Sequence, residues 1–112
     1  MKNLFGIVFF ALSILVSPPP IQAEAHDQKA VLITGASTGL GRAMAELMAS
    51  KGLFVYAGAR KDKDIQELNA IENIQAVRLD VTVQEDIDAA VRTITEAGRG
   101  LHGLVNNAGV AV

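Results

Sequence analysis

Residues 29–44 read KAVLITGASTGLGRAM, and this stretch decides the fold of the chain. The apolar run Val31 to Ile33 is typical of a buried parallel strand. The segment from Leu40 to Lys51 predicts a helix with one apolar face, formed by Leu40, Met44, Leu47 and Met48. The sequence therefore predicts a strand, a glycine-rich turn and a helix in direct succession.

The turn carries three glycines, Gly35, Gly39 and Gly41. Glycine allows a sharp turn and a close approach of backbone to ligand, and the following helix directs free N–H groups and a positive dipole end at an anion. The spacing G-x-x-x-G-x-G differs from the common G-x-G-x-x-G fingerprint, and no Gly-Lys-Ser/Thr of a triphosphate loop follows. We expect the turn to hold the pyrophosphate of a dinucleotide; the alternative is an ordinary strand-to-helix turn.

The rest of the sequence alternates strand and helix patterns. We predict strands at 30–34, 53–57, 74–79 and 103–106, and helices at 39–51, near 64–71, and at 84–97. Right-handed crossovers order the strands 3-2-1-4 in a Rossmann-like, doubly wound parallel α/β sheet that is incomplete, with about four strands. Thr82 and Glu85 form a capping-box pattern at the third helix, and Ile87, Val91 and Ile94 are its expected buried stripe.

Polar residues or glycine follow three of these strands, at the edge where open α/β sheets bind ligands. Arg60 follows the second strand, Asp80-Val81-Thr82 the third, and Asn106-Asn107-Ala108-Gly109 the fourth. Arg60 lies about 20 residues past the last glycine, where an arginine accommodates the 2′-phosphate of NADP and an acid would bind NAD. The alternative for Arg60 is a solvated surface cation, and the nearby Asp62 and Asp64 are expected to cap and begin the next helix.

From about Lys29 to Val112 the chain resembles the short-chain dehydrogenase/reductase family, on residues 34–41, Asp80-Val81 and residues 106–109. The resemblance implies that Gly35, Ser37, Thr38, Gly39, Leu40 and Gly41 wrap the pyrophosphate. It implies that Asp80 and Val81 hold the adenine edge, and that Asn107, Ala108 and Gly109 line the ribose. NADP-binding members often carry a basic residue where Thr38 stands, so the expectation of NADP over NAD rests mainly on Arg60, helped by Ser37.

The family's catalytic serine, Tyr-x-x-x-Lys pair and asparagine all follow the Asn-Asn-Ala-Gly segment. No Tyr-x-x-x-Lys occurs in these 112 residues, so we predict no catalytic residue. One interpretation is the N-terminal half of an NADP-dependent oxidoreductase that interconverts a carbonyl and a secondary alcohol of a small-molecule substrate. Its full-length form would be a homo-oligomer, similar to the branch acting on hydroxysteroids, retinoids and 3-hydroxybutyrate. The other interpretation is a truncated, non-catalytic dinucleotide-binding module.

Composition excludes several other functions. The net charge is -2, so nothing indicates a nucleic-acid partner. Cysteine is absent, which excludes disulfides, thiol nucleophiles and cysteine zinc sites. His26 and His102 have no neighbour at ligand spacing, so no metal site is predicted.

Residues 1–25 have a different pattern from the rest, with a basic start, an apolar core at residues 4–16, a proline run and small residues at Ala23 and Ala25. This pattern predicts a secretory signal cleaved after Ala23 or Ala25, hence an exported or periplasmic protein. The alternative is an N-terminal membrane anchor that keeps the active face in the cytoplasm. Residues 26–112 are then the dinucleotide-binding domain. Its fourth strand would be an open apolar edge, so we expect this chain alone to be poorly stable or to self-associate.

Overall fold

The structure, a computed structural model, describes residues 28–109. These residues form four strands and three helices in strict alternation: β1 (Ala30–Ile33), α1 (Gly39–Ser50), β2 (Phe54–Ala59), α2 (Asp62–Asn69), β3 (Ile74–Arg78), α3 (Gln84–Ala97) and β4 (Gly103–Val105). The strands are parallel, in the order β3-β2-β1-β4. The predicted Rossmann-like α/β fold and strand order are confirmed.

The sheet separates two apolar layers, because successive side chains of a strand point to opposite faces. On one face, Val31 and Ile33 of β1 pack with Ala45 of α1 and Leu68 of α2. On the other face, Ala30 and the fully buried Tyr56 pack with Ala90 and Ile94 of α3. All four strands therefore end at one edge with helices on both sides, which is the edge that the sequence indicated for ligands.

The predicted buried face of α1 was wrong in its orientation. Gly41, Ala45 and Ala49 are buried, whereas Leu40 and Leu47 are 69% and 57% exposed. These small residues recur every four positions, so they share one face of the helix, and they let its backbone lie close to the sheet. Met44 and Met48 flank that face and are only partly buried.

The start of α3 also differs from the prediction. Val83 is the N-cap residue, and it makes no side-chain capping bond. Thr82 is occupied elsewhere, since its hydroxyl donates to the Asp80 carboxylate. Of the predicted stripe, Ile94 is buried and Ile87 partly buried, but Val91 is 56% exposed.

The predicted leader, residues 1–25, lies outside the described residues. Within residues 28–109, none of the helices has the length and apolar character needed to cross a membrane.

Candidate cofactor site

A cleft of about 500 Å³ opens at the carboxyl edge of the sheet. This volume lies within the range typical of small-molecule and cofactor sites. The cleft is lined by Gly35, Ser37, Thr38, Gly58, Ala59, Arg60, Leu79, Asp80, Val81, Thr82, Asn107, Ala108 and Gly109. The fold thus brings together predicted residues from the glycine turn and from the ends of β2, β3 and β4.

Three predicted residues of the glycine turn, Gly39, Leu40 and Gly41, do not line this cleft. Gly41 lies behind the turn, where a Cβ atom would stand only 2.1 Å from the carbonyl oxygen of Gly35. Its role is therefore to let α1 approach the turn. Gly39 has a φ of +60° with open space where a Cβ would point, and the Leu40 side chain is exposed.

The N-terminus of α1 has the features of an anion-binding site. Thr38 is its N-cap residue, with extended backbone and no side-chain capping hydrogen bond. No acidic residue occupies the first turn of the helix. The backbone N–H groups of that turn therefore keep their donor capacity, and the helix dipole adds a partial positive charge beside Ser37 and Thr38 of the cleft.

Thr34, which sequence reasoning missed, ties the glycine turn to the turn after β4. Its buried hydroxyl accepts hydrogen bonds from the backbone N–H groups of Asn107 and Ala108, both at 2.9 Å. The same hydroxyl is 3.2 Å from Oδ1 of Asn106, to which it can donate. The Asn107 side-chain amide donates to the Gly35 carbonyl at 3.1 Å. A buried threonine just before the first glycine was the available sequence signal, because a buried hydroxyl needs partners.

Asp80 is held in place by its neighbours after β3. Its Oδ1 atom accepts two hydrogen bonds from Thr82, one from the backbone N–H at 2.9 Å and one from the hydroxyl at 2.6 Å. The Asp86 carboxylate in turn accepts the Asp80 backbone N–H at 2.9 Å. Both bonds from Thr82 end on Oδ1, so the second oxygen of Asp80 retains acceptor capacity for a ligand.

These bonds keep the Asp80 carboxylate ionised. The Thr82 hydroxyl and then the Thr82 backbone N–H stabilise the charged form, and they hold the pKa of Asp80 below its ordinary value. The positive charge of Arg60 lowers the same pKa further, although desolvation opposes the effect. The cleft therefore presents a fixed negative group and a nearby fixed positive group.

Arg60 lies on the cleft directly after β2, which begins one residue later than predicted and ends two residues later, at Ala59. The longer strand carries Gly58, whose carbonyl accepts the Ala36 backbone N–H at 2.8 Å. Lys61 is the N-cap residue of α2, and Asp62 is its first residue rather than its cap. The start of α2 thus stands next to the exposed Arg60 guanidinium.

Comparison with known proteins gives the family. A model described as short chain dehydrogenase matches residues 29–112. The chain belongs to the short-chain dehydrogenase family. It is 36% identical over 100 residues to the mitochondrial D-beta-hydroxybutyrate dehydrogenase of Mus musculus, covering 80% of this chain and 29% of that protein. It is 39% identical over 94 residues to 17-beta-hydroxysteroid dehydrogenase type 6 of Homo sapiens, covering 80% of this chain and 30% of that protein.

Among solved structures, L-sorbose reductase from Gluconobacter frateurii, complexed with NADPH and L-sorbose, superposes with a TM-score of 0.68 at 32% identity. The match covers 76% of this chain and 35% of that chain. These similarities confirm the predicted family and its hydroxysteroid and 3-hydroxybutyrate branch. The chain spans about a third of the length of these relatives.

Proposed function

We propose that this chain is the cofactor-binding part of an NADP-dependent oxidoreductase that interconverts a carbonyl and a secondary alcohol. The observation that carries the proposal is the cleft itself, where the glycine turn, Arg60, Asp80 and the turn after β4 meet. Membership of the short-chain dehydrogenase family supports the oxidoreductase class. NADPH bound in a structural neighbour supports the choice of cofactor.

The residues present fit a dinucleotide. The uncapped N-terminus of α1 offers backbone donors to a pyrophosphate, and Gly39 leaves open space where another residue would carry a side chain. The bound cofactor supplies the hydride that the reaction transfers. Ser37 and Thr38 line the same part of the cleft, and their hydroxyls add donors for the phosphates.

The adenosine half of the cofactor is assigned to the ends of β2 and β3. Asp80 remains ionised, so its second carboxylate oxygen accepts the adenine amino group, and Val81 stands beside it on the cleft. Asn107, Ala108 and Gly109 line the ribose side. Thr34 fixes that turn through the backbone rather than through the ligand.

Selectivity for NADP is assigned to Arg60. Its guanidinium is a permanent cation whose planar donor set suits a phosphate, and it stands at the position that meets the 2′ substituent of the adenosine ribose. Isothermal titration calorimetry with NADPH and NADH tests this role. We expect Arg60→Asp to weaken NADPH at least tenfold and to spare NADH. Lys61→Asp, the same charge reversal one residue outside the cleft lining, is the control and should change the two affinities little.

If Arg60→Asp weakened NADPH binding and NADH binding to the same extent, the NADP assignment would be contradicted. That result would leave Arg60 as a residue that supports the site without reading the 2′-phosphate.

The substrate and assembly of the whole protein form part of the same proposal: a small-molecule alcohol or carbonyl substrate, and a homo-oligomer. We assign the apolar segment at residues 4–16 to export or to membrane attachment. The intact mass of the protein from its native cell tests the proposal. A mass more than twice that of 112 residues, 11.8 kDa, supports a complete reductase, and its N-terminal residues report whether the leader is cleaved. A mass that corresponds to a chain ending at Val112 favours the non-catalytic module.

A further inference from the structure

Arg78, the last residue of β3, bridges two groups at the start of α2. Its Nη1 atom donates to the backbone carbonyl of Arg60 at 2.5 Å. Its Nη2 atom pairs with Oδ1 of Asp62. Arg78 is the register partner of Ala59, the residue directly before Arg60. The pairing of β2 with β3 therefore brings Arg78 close to Arg60. Arg78 does not line the cofactor cleft.

The pairing with Arg78 matters for cofactor binding because it changes the charge that Asp62 presents near Arg60. Asp62 lies two residues after Arg60, and its side chain is 81% exposed. An unpaired carboxylate there would compete with a phosphate for the Arg60 guanidinium, and it would repel a doubly charged 2′-phosphate. A carboxylate beside the end of β2 is also the feature by which dinucleotide folds accept the 2′-hydroxyl of NAD. Asp62 by itself therefore favours NAD and opposes NADP.

The bridge removes both effects. The Arg78 guanidinium neutralises Asp62, and the bond to the Arg60 carbonyl fixes the backbone from which the Arg60 side chain extends. As a stabilising ion pair the contact is weak, because Arg78 is half exposed and such pairs contribute little to folding. Its effect on the local charge is larger: Arg60, Asp62 and Arg78 together carry a net charge of +1, which falls to zero when the Arg78 charge is removed.

We propose that Arg78 is a positioning residue for cofactor choice: it pairs with the Asp62 carboxylate, so that this carboxylate does not compete for the Arg60 guanidinium, and it thereby allows Arg60 to bind the 2′-phosphate of NADP. This inference rests on the proposed role of Arg60. It adds a second arginine, outside the cleft, that determines specificity without touching the cofactor.

The test is a set of calorimetric titrations of the complete protein with NADPH and NADH. Arg78→Gln removes the charge and keeps a donor, and we expect NADPH to bind about three- to tenfold more weakly while NADH binds equally or more tightly. Adding Asp62→Asn to this variant should recover most of the lost NADPH affinity, because the released carboxylate is then gone. If Arg78 had a merely structural role, Arg78→Gln would weaken NADPH and NADH binding to the same extent, and adding Asp62→Asn would not restore NADPH affinity.

Lys63→Gln is the matched control. Lys63 also pairs with an acidic residue, Glu67 one turn further along α2, at 3.6 Å, and its substitution removes the same charge outside the cleft. Equal weakening of NADPH by Lys63→Gln and Arg78→Gln would overturn the inference, since net charge alone would then explain the loss. Failure of Asp62→Asn to restore NADPH binding would overturn it as well.

Arg60→Asp in the same titrations separates the two proposals. If Arg60→Asp changes the ratio of NADPH to NADH affinity and Arg78→Gln does not, the inference about Arg78 fails and the proposed function stands. If neither substitution changes the ratio, both fail.

Discussion

The Thr34 hydroxyl joins two separate parts of the site through a single buried atom. We expect Thr34→Val, which keeps the shape of the side chain, to leave the N–H groups of Asn107 and Ala108 without their acceptor. An unsatisfied buried donor costs about 1–3 kcal/mol; these two N–H groups are partly buried, so together they should lower the free energy of unfolding by about 2 kcal/mol. Chemical denaturation measures this change. Thr34→Ser retains the hydroxyl and is the control; equal destabilisation by both variants would argue against the hydrogen bonds.

The Asp80 carboxylate gives a prediction about pH. Thr82 lowers the pKa of Asp80 in the folded protein, so the pair contributes stability above the ordinary pKa of an aspartate. That contribution is lost as the pH falls through the lowered folded-state pKa. Thr82→Val removes the hydroxyl, and we expect the pKa of Asp80, followed by its carboxyl NMR shift, to rise toward the ordinary value without reaching it, because the backbone bond remains.

Thr82→Ser keeps the hydroxyl, so Asp80 in this variant should titrate as it does in the unchanged protein. A pKa of Asp80 that stays the same in Thr82→Val would show that the hydroxyl bond does not stabilise the charge in solution.

At the scale of the element, the close contact between α1 and the glycine turn depends on Gly41. An alanine Cβ there would stand 2.1 Å from the Gly35 oxygen and 2.5 Å from Nδ2 of Asn107. Backbone must move to relieve such a contact, so we expect Gly41→Ala to destabilise the fold by about 3 kcal/mol and to weaken NADPH binding at least tenfold. Thermal unfolding and calorimetry measure the two effects.

Gly103→Ala is the matched control for Gly41→Ala. Its added Cβ meets only Val31 Cγ1, at an ordinary 3.4 Å, and its backbone is not in the left-handed region. We expect it to change cofactor binding little. An equal loss of binding in Gly103→Ala would mean that any added methyl group disturbs the sheet, and that the approach of α1 to the turn is not special.

The sequence predicted the positions of the strands and helices better than it predicted which helix faces are buried. Periodicity and glycine punctuation located all four described strands and their order, because these signals are local and the crossover rule then leaves one topology. The buried face of α1 was mispredicted because alanine and glycine, not leucine, face the sheet there. Thr34 and Arg78 were missed because their partners lie 73 and 16 residues away, at Asn107 and Asp62. A local pattern can mark a polar residue that needs partners, as at Thr34, but it does not identify partners so far away in the sequence.

At the scale of the whole molecule, the sheet formed by residues 28–109 ends in an apolar edge. β4 pairs only with β1 in the described part of the chain, and Leu104 at its centre is 59% exposed. Beside it, Val91 of α3 and Leu101 are 56% and 43% exposed, and they line a groove between α3 and β4. An unpaired strand edge that carries apolar side chains is a template for pairing with another chain.

We therefore expect a polypeptide of these 112 residues to associate with itself as its concentration rises, which sedimentation or light scattering would detect. Leu104→Lys places a charge on the edge strand and should lower the associated fraction severalfold, because an edge charge opposes strand pairing. Leu47→Lys is the control, since Leu47 is equally exposed, at 57%, but lies on α1 away from the groove. A monomer at all concentrations with one sharp unfolding transition would contradict the expectation. Equal loss of association in both variants would trace it to overall surface hydrophobicity instead of to the edge of β4.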